Sequence, residues 1–156
     1  MRELSVFVDE SGDFGETRER PSYYLVTMLY HDQSHNISKK ICKLTESIRK
    51  AEYNIEYIHT APIIRREGIF SKYSINDRRK LIYKMLNFFN ICKVSYNTIV
   101  IDRKDAVNKI QLSAKLIKSI SKVIEEHHQF FSQYDNIIVY YDNGQNELRS
   151  ILSRGL

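Results

Sequence analysis

Residues 6–15 read VFVDESGDFG, and the change within them from apolar side chains to acids and glycines decides how the chain is read. Leu4 to Val8 is an apolar run broken only by Ser5. It is too short for a helix and contains β-branched residues, so it predicts a strand buried on both faces. Asp9, Glu10 and Asp13, with Gly12 and Gly15, then crowd its end. A turn needs only Ser-Gly or Asp-Gly chemistry, so the surplus carboxylates ask for either a turn or a chemical explanation.

Working outward, YYLVTMLYH from Tyr23 to His31 predicts a second strand, joined to the first by a long polar loop over residues 10–21. Apolar residues at Ile41, Leu44, Ile48 and Ala51 predict an amphipathic helix from Ser38 that ends before Asn54. The segment IEYIHTAPIIRREGIFSKYS has no period and reads as loop, with an extended piece at Ile55 to His59. Ser74 or Asn76 caps a further helix with Leu81, Ile82, Met85, Leu86 and Phe89 on one stripe. Lys93 to Ile101 predicts a third strand. A long helix follows, with Ile110, Ala114, Ile117, Ile120, Ile124, His127 and Phe131 on its apolar stripe. Ile137 to Tyr141 predicts a fourth strand that stops on Asp142 and turns at Asn143-Gly144, and Gln145 to Arg154 a last helix using Leu148, Ile151 and Leu152. The order of elements is that of a mixed α/β fold with helices covering a sheet.

The 156 residues, 42% of them hydrophobic, suit one domain with a real core. The 24 Lys plus Arg against 19 Asp plus Glu give a net charge of +5, a tilt toward an anionic partner such as nucleic acid. Cys42 and Cys92 belong to no CxxC or Cys/His pattern and read as reduced, packed side chains, which argues against a zinc site. No signal peptide and no membrane-length apolar segment is present, so a soluble, cytoplasmic protein is expected.

Two strands therefore end on an aspartate followed closely by glycine: FVD at Asp9 and YYDNG at Asp142. If they are parallel neighbours, their carboxyl ends lie about 4.8 Å apart and the two carboxylates can grip one divalent cation. Metal-assisted phosphoryl transfer uses such a pair, because Mg²⁺ prefers a few carboxylates with waters and phosphate oxygens. Turn formation and helix capping account for the same two aspartates equally well from spacing alone.

VDESGDFG, EYIH with the following IIRREGIFSKYS, and YYDNGQ together resemble the DUF3800 family, a bacterial and phage family placed among the ribonuclease H-like folds, over essentially the whole chain. The resemblance implies a ribonuclease H-like sheet with first and fourth strands adjacent and a metal-dependent nuclease site that uses Mg²⁺ or Mn²⁺. It implies Asp9 and Asp142 as metal ligands and catalytic acids, with Glu10, Glu56 and His59 assisting; Glu10 follows Asp9 along a strand, where neighbours face opposite sides. Family members continue past YYDNGQ for about another strand and a helix bearing a further acid, whereas this chain stops at Leu156. That departure predicts a homo-oligomer that covers the strand edge. It also keeps open a different class of function, a catalytically inactive binding or interaction protein, for example in phage–host conflict or phage defence.

Arg65, Arg66, Arg78, Arg79 and Lys80 are the basic residues expected to contact nucleic-acid phosphates, although solvated surface explains them too. Consecutive helical residues do not share a face, so His127 and His128 make no ligand pair, and His127 reads as a core or boundary residue. Asp102 and Asp105 read as a loop and an N-cap for the long helix. Ser11 lies in no G-x-S-x-G elbow, and neither G-x-G-x-x-G nor a Walker loop occurs.

Overall fold

Four strands pair into one mixed sheet, β1 (Glu3–Ser11), β2 (Tyr23–Asp32), β3 (Ser95–Asp102) and β4 (Asn136–Tyr141), in the order β3-β2-β1-β4. β2 is antiparallel to both its neighbours and β4 is parallel to β1. The carboxyl ends of β1, β3 and β4 therefore share one rim. The computed structural model describes residues 1–12, 14, 22–51, 53, 55, 58–142 and 145–155, with backbone alone at 154 and 155. The chain divides into two units, residues 1–35 with 95–156, which hold the sheet, and residues 36–94, which are helical.

Side chains alternate across the pleat, and only one face of the sheet is closed. Leu4, Val6 and Val8 of β1, Tyr24, Val26, Met28 and Tyr30 of β2, and Ile99 and Ile101 of β3 are buried in one cluster. α4 (Lys109–Glu126) contributes Leu112, Leu116 and Ile120 to that cluster, and α6 (Asn146–Gly155) contributes Leu148, Ile151 and Leu152. Each such side chain removed from water stabilises the unit by about 1.5–3 kcal/mol. The opposite face is open at Phe7, which is 44% exposed and stacks on Tyr140 with ring centroids 5.0 Å apart. The expectation that β1 is buried on both faces is thus corrected. α4 and α6 contribute to the same cluster, and Ser5, although buried, is covered by a polar contact from Gln33 at 2.6 Å.

α4 also differs from the sequence reading. Its buried stripe is Leu112, Leu116 and Ile120, whereas Ile110 and Ile117 are 81% and 50% exposed. Apolar residues lie on two adjoining faces of this helix, and contact with the sheet selects between them. The helix does not run on to Phe131: it breaks at His127, and α5 (His128–Phe131) forms a separate short turn. His127 is exposed rather than core, with Nε2 3.3 Å from Asn97 Nδ2. Its N-cap is Asn108, which accepts from the Gln111 amide at 2.9 Å, and neither Asp102 nor Asp105 caps it. Asp102 instead closes a turn by accepting from the Lys104 amide at 2.8 Å, and Asp105 pairs with Lys115.

The helical unit contains α1 (Ser38–Arg49), α2 (Thr60–Arg65), a 3₁₀ turn (Gly68–Lys72) and α3 (Ile75–Cys92). Ile48, Tyr53, Ile63, Phe70 and Leu81 form its core. Ser74 is the N-cap of α3 and accepts from the Asp77 amide, as the sequence predicts. α2 and the 3₁₀ turn fall in the segment read as loop; six and five residues are too few to show a period. Lys93 is the left-handed residue ending α3, at φ 54°, so β3 begins two residues later than predicted. Cys92 is buried but Cys42 is exposed on α1, so only one of the two cysteines is packed. Among the described residues, no helix is long and apolar enough to cross a membrane.

Candidate metal centre

β1 and β4 run in parallel register from Glu3↔Asn136 to Val8↔Tyr141. The residues that follow are Asp9, still on β1, and Asp142, just past the end of β4, at the shared carboxyl rim, and both are exposed. β1 itself does not end at Val8: it stays paired with β2 through Asp9↔Thr27, Glu10↔Val26 and Ser11↔Leu25. Asp9 follows the odd-numbered face of β1, with Phe7, while Glu10 follows the even-numbered face with Val8. The two adjacent acids of DESG therefore point to opposite sides of the sheet.

Glu10 is tied into the buried side. The Tyr141 hydroxyl donates to Glu10 Oε1 at 2.8 Å, and the Gln145 backbone amide reaches the same oxygen at 3.3 Å and the Tyr141 hydroxyl at 2.7 Å. Glu10 Oε2 is buried without a hydrogen-bond partner among the described residues. Burial, with the Glu10 carboxyl beside it, pushes the Tyr141 phenol up to about 12. The Gln145 side chain then reaches across to the DESG turn: its Nε2 donates to the Gly12 carbonyl at 2.9 Å, and its Oε1 accepts from the Phe14 amide at 2.9 Å. Phe14 is buried edge-on against Tyr24, ring centroids 5.1 Å apart.

Gly12 is dictated by this turn. Its φ is +112°, and a Cβ there would stand 3.1 Å from Tyr24 Cδ2 and 3.2 Å from the Tyr23 carbonyl oxygen. The left-handed backbone and the close approach to β2 each favour glycine. The DESG run is thereby explained residue by residue: Asp9 outward, Glu10 inward, Ser11 on the ladder, Gly12 at the bend.

The remaining predicted residues lie in the helical unit. His59 is exposed and precedes α2 in extended conformation, with no side-chain capping bond, and Glu56 lies outside the described residues. Arg65, Arg66, Arg79 and Lys80 are exposed. Arg66 Nε donates to the Ser71 carbonyl at 3.3 Å, and Lys80 lies 3.8 Å from Asp77. Arg78 has a different task, since its guanidinium donates to the Ile63 and Ile64 carbonyls of α2 at 2.7 and 3.1 Å. Those carbonyls are orphaned at a helix end, and Arg78 satisfies them.

Asp9 and Asp142 are two exposed carboxylates on the rim. No group of three or more His, Cys, Asp or Glu side chains with metal-binding geometry occurs among the described residues. Mg²⁺ and Mn²⁺ are held by one or two carboxylates with waters and phosphate oxygens completing the shell, and Asp9 and Asp142 are donors of that type. Sequence reasoning passed over Tyr141 and Gln145, although both lie inside the YYDNGQ run it singled out. Their role depends on contacts across more than 130 residues. Compared with protein-family models, curated proteins and solved structures, the chain matches none.

Proposed function

We propose that this protein is a divalent-metal-dependent nuclease of ribonuclease H-like type, in which Asp9 and Asp142 hold Mg²⁺ or Mn²⁺ at the sheet rim. One observation supports this above all: β1 and β4 pair in parallel up to Val8↔Tyr141, and the residue that follows each of these partners is an aspartate, Asp9 and Asp142. The adjacency of first and fourth strands is also what the resemblance to the DUF3800 family implies. Ligand sites of α/β sheets gather at the carboxyl ends of strands. When bound, the metal supplies an activated water and stabilises charge on the phosphate being cleaved.

The protein's own part is to present the two exposed carboxylates and to hold the nucleic acid. Exposed Asp9 and Asp142 are available as ligands, while Glu10 is withdrawn to the opposite side. Net charge +5 and the exposed Arg65, Arg66, Arg79 and Lys80 favour a polyanion. The test is Mn²⁺ titration of the wild type and of Asp9→Asn, beside cleavage assays on single-stranded, double-stranded and hybrid substrates at several protein concentrations. Metal binding abolished by Asp9→Asn, with metal-dependent cleavage, supports the proposal. Equal Mn²⁺ affinity in both proteins overturns the site. Aspartate-dependent binding without turnover on any substrate converts the reading to a non-catalytic nucleic-acid or protein binder.

A further inference from the structure

We infer that Gln145 is a positioning residue that sets the spacing of Asp9 and Asp142 by clasping the two chain segments beyond the point where their ladder stops; this rests on the two-aspartate reading above. Parallel pairing of β1 and β4 ends at Val8↔Tyr141. Past it, no further β1–β4 ladder pair occurs among the described residues. The connections that continue come from one short piece of chain: Tyr141 hydroxyl to Glu10, Gln145 amide to Glu10, Gln145 Nε2 to the Gly12 carbonyl and Phe14 amide to Gln145 Oε1.

The carboxamide of Gln145 works as an extra peptide group. It donates and accepts at 2.9 Å toward the backbone of residues 12 and 14, as a neighbouring strand would, and so extends the β1–β4 pairing by side-chain means. Asp9 lies three residues before one end of this clasp and Asp142 three before the other. The clasp faces the closed side of the sheet and the aspartates the open rim, so it can govern their separation without touching a ligand. Groups that orient metal-binding side chains in this way change metal affinity by about 10–100-fold when removed.

Gln145→Met keeps the length of the side chain and removes both hydrogen bonds; Gln145→Ala is read in the same way if the Met variant does not fold. Two quantities are measured on the folded full chain, Mn²⁺ affinity and hydrogen exchange at the Phe14 amide, with thermal unfolding as the check on folding. The expected result is a cooperative unfolding transition, faster exchange at Phe14, and Mn²⁺ affinity reduced about 10–100-fold. Faster exchange with affinity within about twofold of wild type would show a clasp that only braces the turn, and unchanged exchange would show no clasp; either overturns the inference. Asp9→Asn separates the two levels. If that variant binds Mn²⁺ like the wild type, the site reading fails and the positioning role falls with it, whereas lost binding in Asp9→Asn beside intact binding in Gln145→Met sinks the positioning role alone.

Discussion

Val8 and Tyr141 are the last parallel partners of β1 and β4, and the residue that follows each of them is an aspartate. Asp9 continues on β1 beside β2, and Asp142 follows the last residue of β4, both at the carboxyl rim. On the two-aspartate proposal a cation lies between these carboxylates, and without it their like charges oppose one another. Mn²⁺ is therefore expected to raise the melting temperature of the wild type, because a ligand that binds only the folded state stabilises it. Asp9→Asn and Asp142→Asn are each expected to melt at or above the metal-free wild type and to gain nothing from Mn²⁺. Differential scanning fluorimetry with and without the ion reads both effects, and an equal Mn²⁺-induced shift in all three proteins contradicts the shared site.

Gly12 combines φ +112° with a Cβ position 3.1 Å from the Tyr24 ring. Gly12→Ala is expected to destabilise by about 1–3 kcal/mol through backbone strain and crowding against β2. Urea unfolding of the variant measures this. A loss below about 0.5 kcal/mol would show that the turn accommodates a side chain.

The two limbs of the stability–pH curve have separate origins. Hydrogen bonds from Ser34, then the Arg2 guanidinium at 2.9 Å, hold the Asp32 carboxyl well below the usual carboxylate range. A depressed carboxyl stabilises the fold above its unfolded value of about 3.9 and loses that contribution as pH falls further. Asp32→Asn should therefore flatten the acid limb. Burial raises the Tyr30 and Tyr141 phenols to about 12, so their contribution is complete below an unfolded value of about 10 and is lost as pH rises toward 12. Tyr141→Phe should lessen the alkaline loss. Urea midpoints followed across both ranges give the two slopes, and an unchanged slope in either variant refutes its assignment.

Leu116 is fully buried under the sheet while its neighbour Ile117 is half exposed. Leu116→Ala is expected to cost about 2–5 kcal/mol and Ile117→Ala less than about 0.5 kcal/mol. Chemical denaturation of the pair decides which face of α4 is inward. The reverse ranking would restore the stripe that runs through Ile110 and Ile117.

Much of the sheet unit was legible in local pattern. The four strands, the last helix with Leu148, Ile151 and Leu152 inward, and the Ser74 cap of α3 follow from run length, period and capping chemistry. α2 was not legible, because a six-residue helix shows too little period to separate it from a loop. For the candidate site, the two aspartates stood out as acids ending apolar runs, but nothing local to them revealed the carboxamide of Gln145 bonded to residues 12 and 14.

What the sequence by itself determined is the kind and order of the four strands and the longer helices, since these depend on interactions within a few residues: turn propensity at Gly12, capping at Ser74, short apolar runs at β1 and β4. Only the tertiary structure decided which face each element buries and which distant residues meet. Phe7 is open and Leu112 closed because α4 and α6 cover the same side of the sheet; Glu10 is turned inward because Tyr141 and Gln145 bind it there; and Asp9 and Asp142 share one rim because β4 adds to β1 in parallel. Those outcomes come from pairing and packing across more than a hundred residues, which no short stretch of sequence encodes.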